Sequence, residues 1–146
     1  MRLFSFIGGT LIAAALAFAA PTRAAEQTPS QEHMKNTVQA YFDAMNEGEA
    51  VAAKIKAMYA PDAMIEDPLG TPLRPAAVFI DGVLKAKLTF NVLLLTATPT
   101  NTAAAAALYI NTPTGGLNAI EIFTFNPEGK ITGMKAYWGS SDRAQQ

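Results

Sequence analysis

The end of the chain restricts the fold most. Leu117 to Phe125 alternates as an extended strand does, and Ile131 to Trp138 does so again. Between them, Asn126-Pro127-Glu128-Gly129-Lys130 has the length and the glycine of a hairpin loop. Strands joined this tightly pair antiparallel, and an isolated pair is marginal in water. The rest of the chain must therefore supply strands to extend the pair and helices to cover it.

Further strands precede the hairpin. Lys87 to Thr98 is rich in β-branched, aromatic and leucine side chains, which predicts a long strand. Ala103 to Ala107 has the composition of a helix. Thr102 before it, Leu108-Tyr109-Ile110 after it and turn signals at both ends favour a strand whose small side chains admit close packing. Upstream, Met34, Val38, Tyr41, Phe42 and Met45 recur as one apolar stripe of a helix. Thr28 suits its N-cap, Pro29 its first position, Gln31 the capping box and Gly48 its end. A second helix is predicted from about Glu49, with Val51, Ile55, Met58 and Tyr59 buried, broken by Pro61-Asp62. Pro68 to Pro75 reads as a loop, and Ala76 to Leu84 as a short helix. The order predicts an α+β fold, a curved antiparallel sheet with helices on one side, as a single domain over 28–146.

Residues 1–24 read differently. Arg2 precedes the apolar stretch Leu3 to Ala20, and Thr22-Arg23-Ala24 offers small residues for cleavage after Ala24. The stretch could nearly span a bilayer as an anchor, but its Gly8-Gly9 break and alanine-rich end favour a cleaved signal peptide and export, into the periplasm of a bacterium. Cleavage leaves 122 residues, enough for one core. With no cysteine the exported domain has neither disulfides nor thiolate chemistry. Nine basic against twelve acidic residues remain, with no basic run, so nucleic acid is not an expected partner.

Three residues stand out chemically. In Ala63-Met64-Ile65-Glu66-Asp67-Pro68-Leu69-Gly70, alternation puts Ala63, Ile65 and Asp67 on one face. If that face is the core, Asp67 is either a satisfied structural group or a general base kept from water. Glu66 points the other way. Glu121 shares a strand face with Leu117, Ala119, Phe123 and Phe125. Buried there, its carboxyl would hold its proton more tightly; if that face is the outer one, it is merely solvated. Tyr41 lies on the buried stripe of the first helix, where its hydroxyl needs a backbone partner or a ligand. Met134, Ala136 and Trp138 share a face of the last strand, as pocket wall or as ordinary core. One histidine, His33, and no cysteine argue against a zinc site, and no phosphate-binding loop or Ser-His-Asp set is present.

Together these segments carry a resemblance. Val38-Gln39-Ala40-Tyr41 with Asn46-Glu47-Gly48-Glu49, Ile65-Glu66-Asp67-Pro68-Leu69-Gly70, Ile120 to Asn126, and Met134-Lys135-Ala136-Tyr137-Trp138 resemble bacterial Δ5-3-ketosteroid isomerases. The resemblance implies the conical barrel of the nuclear transport factor 2-like fold, a curved sheet wrapped around helices. It implies Asp67 as a base that carries a proton along the substrate, and Tyr41 as a donor to the dienolate oxygen. Glu121 stands where the family usually has a protonated aspartic acid as second donor. It further implies Met134, Trp138 and Phe123 against an apolar steroid-like ketone, Tyr59 supporting Tyr41, no cofactor, and a homodimer. Two other readings suit the same residues: an exported protein that binds an apolar ligand without turnover, and a SnoaL-like cyclase or dehydratase.

Overall fold

The computed structural model describes residues 28–142, so the leader lies outside the described residues. Helix α1 (Gln31–Glu47) opens the domain. Its cap is Ser30 rather than Thr28: the Ser30 hydroxyl accepts from the His33 amide, 3.1 Å away, and Gln31 is the first helical residue. Gly48 ends it at φ 86°, a conformation that costs glycine nothing. Met34, Val38, Tyr41, Phe42 and Met45 are buried as their spacing predicts.

The second helix is shorter than predicted. A 3₁₀ turn (Glu49–Val51) leads into α2 (Ala52–Lys56), and Tyr59 is already the first residue of strand β1 (Tyr59–Glu66). Pro61 does not stop that strand. The register of β1 on its neighbour shifts between Tyr59 and Met64, so Pro61 sits where the ladder is interrupted and its missing N–H leaves no gap. Beyond Asp67 the loop closes with a two-residue strand, β2 (Arg74–Pro75), on Met64 and Ile65. Helix α3 (Ala76–Lys85) follows, then β3 (Thr89–Ala97), β4 (Ala103–Thr112), β5 (Gly115–Phe125) and β6 (Ile131–Tyr137).

The α+β class is as predicted, and the six strands run in the order β2-β1-β6-β5-β4-β3. The sheet is mixed rather than wholly antiparallel, because β1 lies parallel to β6. Its concave face holds α1. There Tyr41, Phe42, Phe90 and Phe123 meet ring to ring, at centroid distances of 4.9 Å for Tyr41–Phe42, 5.4 Å for Tyr41–Phe123, 5.8 Å for Phe42–Phe123 and 5.6 Å for Phe42–Phe90. The alanine run is a strand, with Ala104 and Ala106 turned inward and fully covered.

Candidate active site

Burial places Asp67, Glu121, Tyr41 and Trp138 around one cavity of about 80 Å³ on the concave side. Phe79 of α3 and Leu117 of β5 are among its apolar walls. Each polar residue arrives for a local reason. Ala63 and Ile65 are buried and Met64 is exposed, so the alternation of β1 carries Asp67 inward as the strand ends. Just outside, Glu66 accepts from the Gly70 amide at 2.8 Å and pairs with Lys135 at 3.3 Å. The Gly70 bond and the Lys135 charge hold its carboxyl below the usual range. The Leu69 amide donates to the Ala136 carbonyl at 2.8 Å. The turn behind Asp67 is thus tied to β6 on both sides.

Asp67 is oriented by the indole N–H of Trp138, which donates to its Oδ1 at 2.6 Å. Burial raises its pKa, while that hydrogen bond and the charge of Arg74 hold the rise back. The outcome is a carboxylate more basic than an exposed aspartate.

Glu121 is 4% exposed, which settles the face of β5. In register it stands between Ala106 of β4 and Ala136 of β6, both fully buried. Two methyl groups can offer it no hydrogen bond, and its Oε2 is buried with no partner. Burial first, and the negative charge of Asp67 second, push its pKa up to about 8. At neutral pH it is a carboxylic acid with an O–H to donate. Burial likewise holds the Tyr41 hydroxyl protonated, well above the usual phenol range.

Tyr59 reaches the same cluster from β1, its ring edge-on to that of Tyr41 at 5.9 Å. The two phenols bias one another's ionisation, yet the Tyr59 hydroxyl has no hydrogen bond of acceptable geometry and is left buried without a partner. Phe123 and Met134 do not join the cavity wall. Phe123 is fully buried against the rings of Tyr41 and Phe42, and Met134 lies opposite it in the β5–β6 register. Both belong to the core behind the site. The sequence reading missed two ties. One is the indole bond of Trp138 to Asp67, and the other is the closure of Glu66 on Gly70, for which a carboxylate four residues before a loop glycine is the available sign.

One cavity therefore gathers a base, a neutral carboxylic acid and a neutral phenol. Such a set can remove a proton from carbon and hold the resulting negative oxygen between two donors.

No model of a protein family matches the chain. Among curated proteins it is similar to the steroid Delta-isomerase of Nocardioides simplex, 34% identical over 117 residues, covering 75% of this chain and 92% of that protein. Among solved structures it is similar to SalBIII, described as an epoxide hydrolase/cyclase-like enzyme with a role in pyran ring formation in the polyether salinomycin. That match has a TM-score of 0.72 and 31% identity, over 79% of this chain and 97% of that one. By sequence shared along almost the whole length of the isomerase, and by a fold shared with the cyclase-like enzyme, the chain belongs to the steroid Delta-isomerase family within the nuclear transport factor 2-like superfamily.

Proposed function

We propose that the protein moves a carbon–carbon double bond into conjugation with a ketone, on a steroid or similarly apolar molecule. Asp67 removes a proton from the carbon between the carbonyl and the alkene. The electron pair moves onto the oxygen to give a dienolate, which takes hydrogen bonds from Tyr41 and from protonated Glu121. Asp67 then returns the proton two carbons further along, so the substrate regains the proton it gave up and nothing is oxidised or reduced. Trp138 aims the base. The observation that carries this reading is the unpartnered, buried Oε2 of Glu121, on a residue that lines the same cavity as Tyr41 and Asp67. A buried polar atom without a partner costs roughly 1–3 kcal/mol, and a bound oxyanion would satisfy it.

The test is conversion of a Δ5-3-ketosteroid to its Δ4 isomer, followed by the absorbance of the conjugated enone. Turnover is expected, with Asp67→Asn slower by about 10²-fold or more. No turnover above buffer, or an unimpaired Asp67→Asn, overturns the assignment.

The similarity to SalBIII favours a second reading, in which the Asp67–Glu121 pair acts as base and acid in ring closure. An epoxy-alcohol substrate separates the two: Glu121 would protonate the opening epoxide oxygen as Asp67 takes the proton of the attacking hydroxyl. We further propose export directed by residues 1–24. We also propose a homodimer through the outer face of the sheet, where Leu93, Ile120 and Tyr137 are exposed along one groove.

A further inference from the structure

The cavity holding Asp67 and Glu121 has room for only part of a ligand. At about 80 Å³ it is well below the roughly 300–1,000 Å³ of pockets that enclose drug-sized molecules. A second cleft of about 360 Å³ abuts it, between the end of α1, the end of α3 and the start of β3. Val83, Leu88 and Phe90 line both spaces. An elongated ligand whose ketone lies on Tyr41 and Glu121, and which reaches past these three residues, would place its far end in the outer cleft.

The outer cleft is not uniformly apolar. Asn46 lines it, but its amide is spent on the wall: it donates to the Phe90 carbonyl at 2.9 Å and accepts from the Phe90 amide at 2.8 Å. Two charged side chains remain, Lys87 and Glu49, both exposed and neither ion-paired among the described residues. Lys87 ends the α3 turn at φ 54°. Glycine is the usual residue in that left-handed conformation, and any other side chain is held there at a conformational cost. A lysine in that place, at the rim of a cleft, is a local exception of the kind that accumulates at ligand sites.

We infer that Lys87 and Glu49 form a distal subsite that recognises a hydroxyl group on the end of the substrate remote from its ketone. The complementarity is chemical. Lys87 only donates and Glu49 only accepts, and an alcohol oxygen can accept from the first while its O–H donates to the second. A carbonyl there would use only the lysine, and a carboxylate would be repelled by the glutamate. This inference rests on the proposed orientation of the ketone, and it concerns binding rather than chemistry.

It is tested by binding, with turnover measured separately. The only tryptophan of the sequence, Trp138, lines the inner cavity, so its fluorescence reports occupancy. The probes are Δ4-3-ketosteroids, which are already conjugated, carrying a 17-hydroxyl, no 17-substituent or a 17-carboxylate. The hydroxyl compound is expected to bind about 3- to 10-fold more tightly than the unsubstituted one, the range for one or two exposed hydrogen bonds. That ratio falls towards one in Lys87→Gly, which places glycine in a backbone already suited to it, and in the isosteric Glu49→Gln. The carboxylate gains affinity in Glu49→Gln. Equal affinities in the wild type, or a hydroxyl preference that survives both substitutions, overturns the subsite. A preference without turnover of the Δ5 compound leaves the subsite standing and removes the isomerase reading, and turnover without preference does the reverse. If no probe binds, both are overturned.

Discussion

Replacing Glu121 by glutamine changes no size and removes one titration, so it isolates the cost of keeping a carboxyl between two alanines. In the unfolded chain Glu121 loses its proton near 4.5; in the folded protein it does so near 8. Between those values the native state holds a proton that the unfolded state has released. Stability is therefore fully present below pH 4.5 and declines as pH rises towards 8, by about 1.4 kcal/mol per pH unit, and then levels off. From pH 5 to pH 8 the loss from this residue amounts to several kcal/mol, a large share of the roughly 5–15 kcal/mol that keeps a domain folded. Glutamine cannot ionise and makes no such loss. Urea unfolding of both proteins at pH 5, 6, 7 and 8 gives the answer directly. The Glu121→Gln protein is expected to start slightly below the wild type at pH 5, since its second amide hydrogen also lacks a partner, and to overtake it by pH 7. Stability curves that run parallel across this range would mean that Glu121 is ionised at neutral pH, and its role as a neutral donor would fall with it.

The catalytic pH profile should carry the same two carboxyls: kcat/KM rises through an acid limb set by Asp67, above the ordinary aspartate range, and falls through an alkaline limb near pH 8 as Glu121 ionises. Trp138→Phe removes the 2.6 Å hydrogen bond that favours the charged form of Asp67, so its acid limb moves to higher pH while the alkaline limb stays; an unmoved acid limb would show that the bond does not bear on the base. Tyr41→Phe removes one of the two donors proposed for the developing oxyanion and is expected to lower kcat by about 10²- to 10³-fold, in the same enone absorbance assay. Glu66→Ala frees the Gly70 amide, and hydrogen exchange at that amide should accelerate in the variant.

The strands were legible because their period is simple and one face is covered. In β4, Ala104, Ala106, Leu108 and Ile110 alternate inward without a break, and that regularity outweighs the helix preference of alanine. The helix around Glu49 was less so, since five residues of α2 carry too few turns to fix an end, and Tyr59 fits a buried helical position as well as a buried strand position. Alternation left Glu121 open because β5 is apolar on both sides: Ile120 points outward and is half exposed. The partnership of Asp67 and Trp138 spans 71 residues, and no local pattern encodes it. Nor does periodicity measure depth along a cone. Phe123, Met134 and Glu121 are all inward positions, but only Glu121 reaches the cavity.

The place of β6 also sets when the site can exist. Among the described residues it is the last strand to be synthesised, yet it lies between β1 and β5, and β1 has there no other sheet neighbour than the two residues of β2. A nascent chain that has emerged only through β5 can form the β3–β4–β5 meander, but β1, which leads into Asp67, has only the two residues of β2 to join. The final strand closes the gap and brings Trp138 to the carboxylate in the same event. Pairing of such distant segments is slow relative to local contacts, so the Asp67 carboxylate is oriented only once β6 has docked, and a chain stopped a few residues short of Trp138 lacks the indole that orients it.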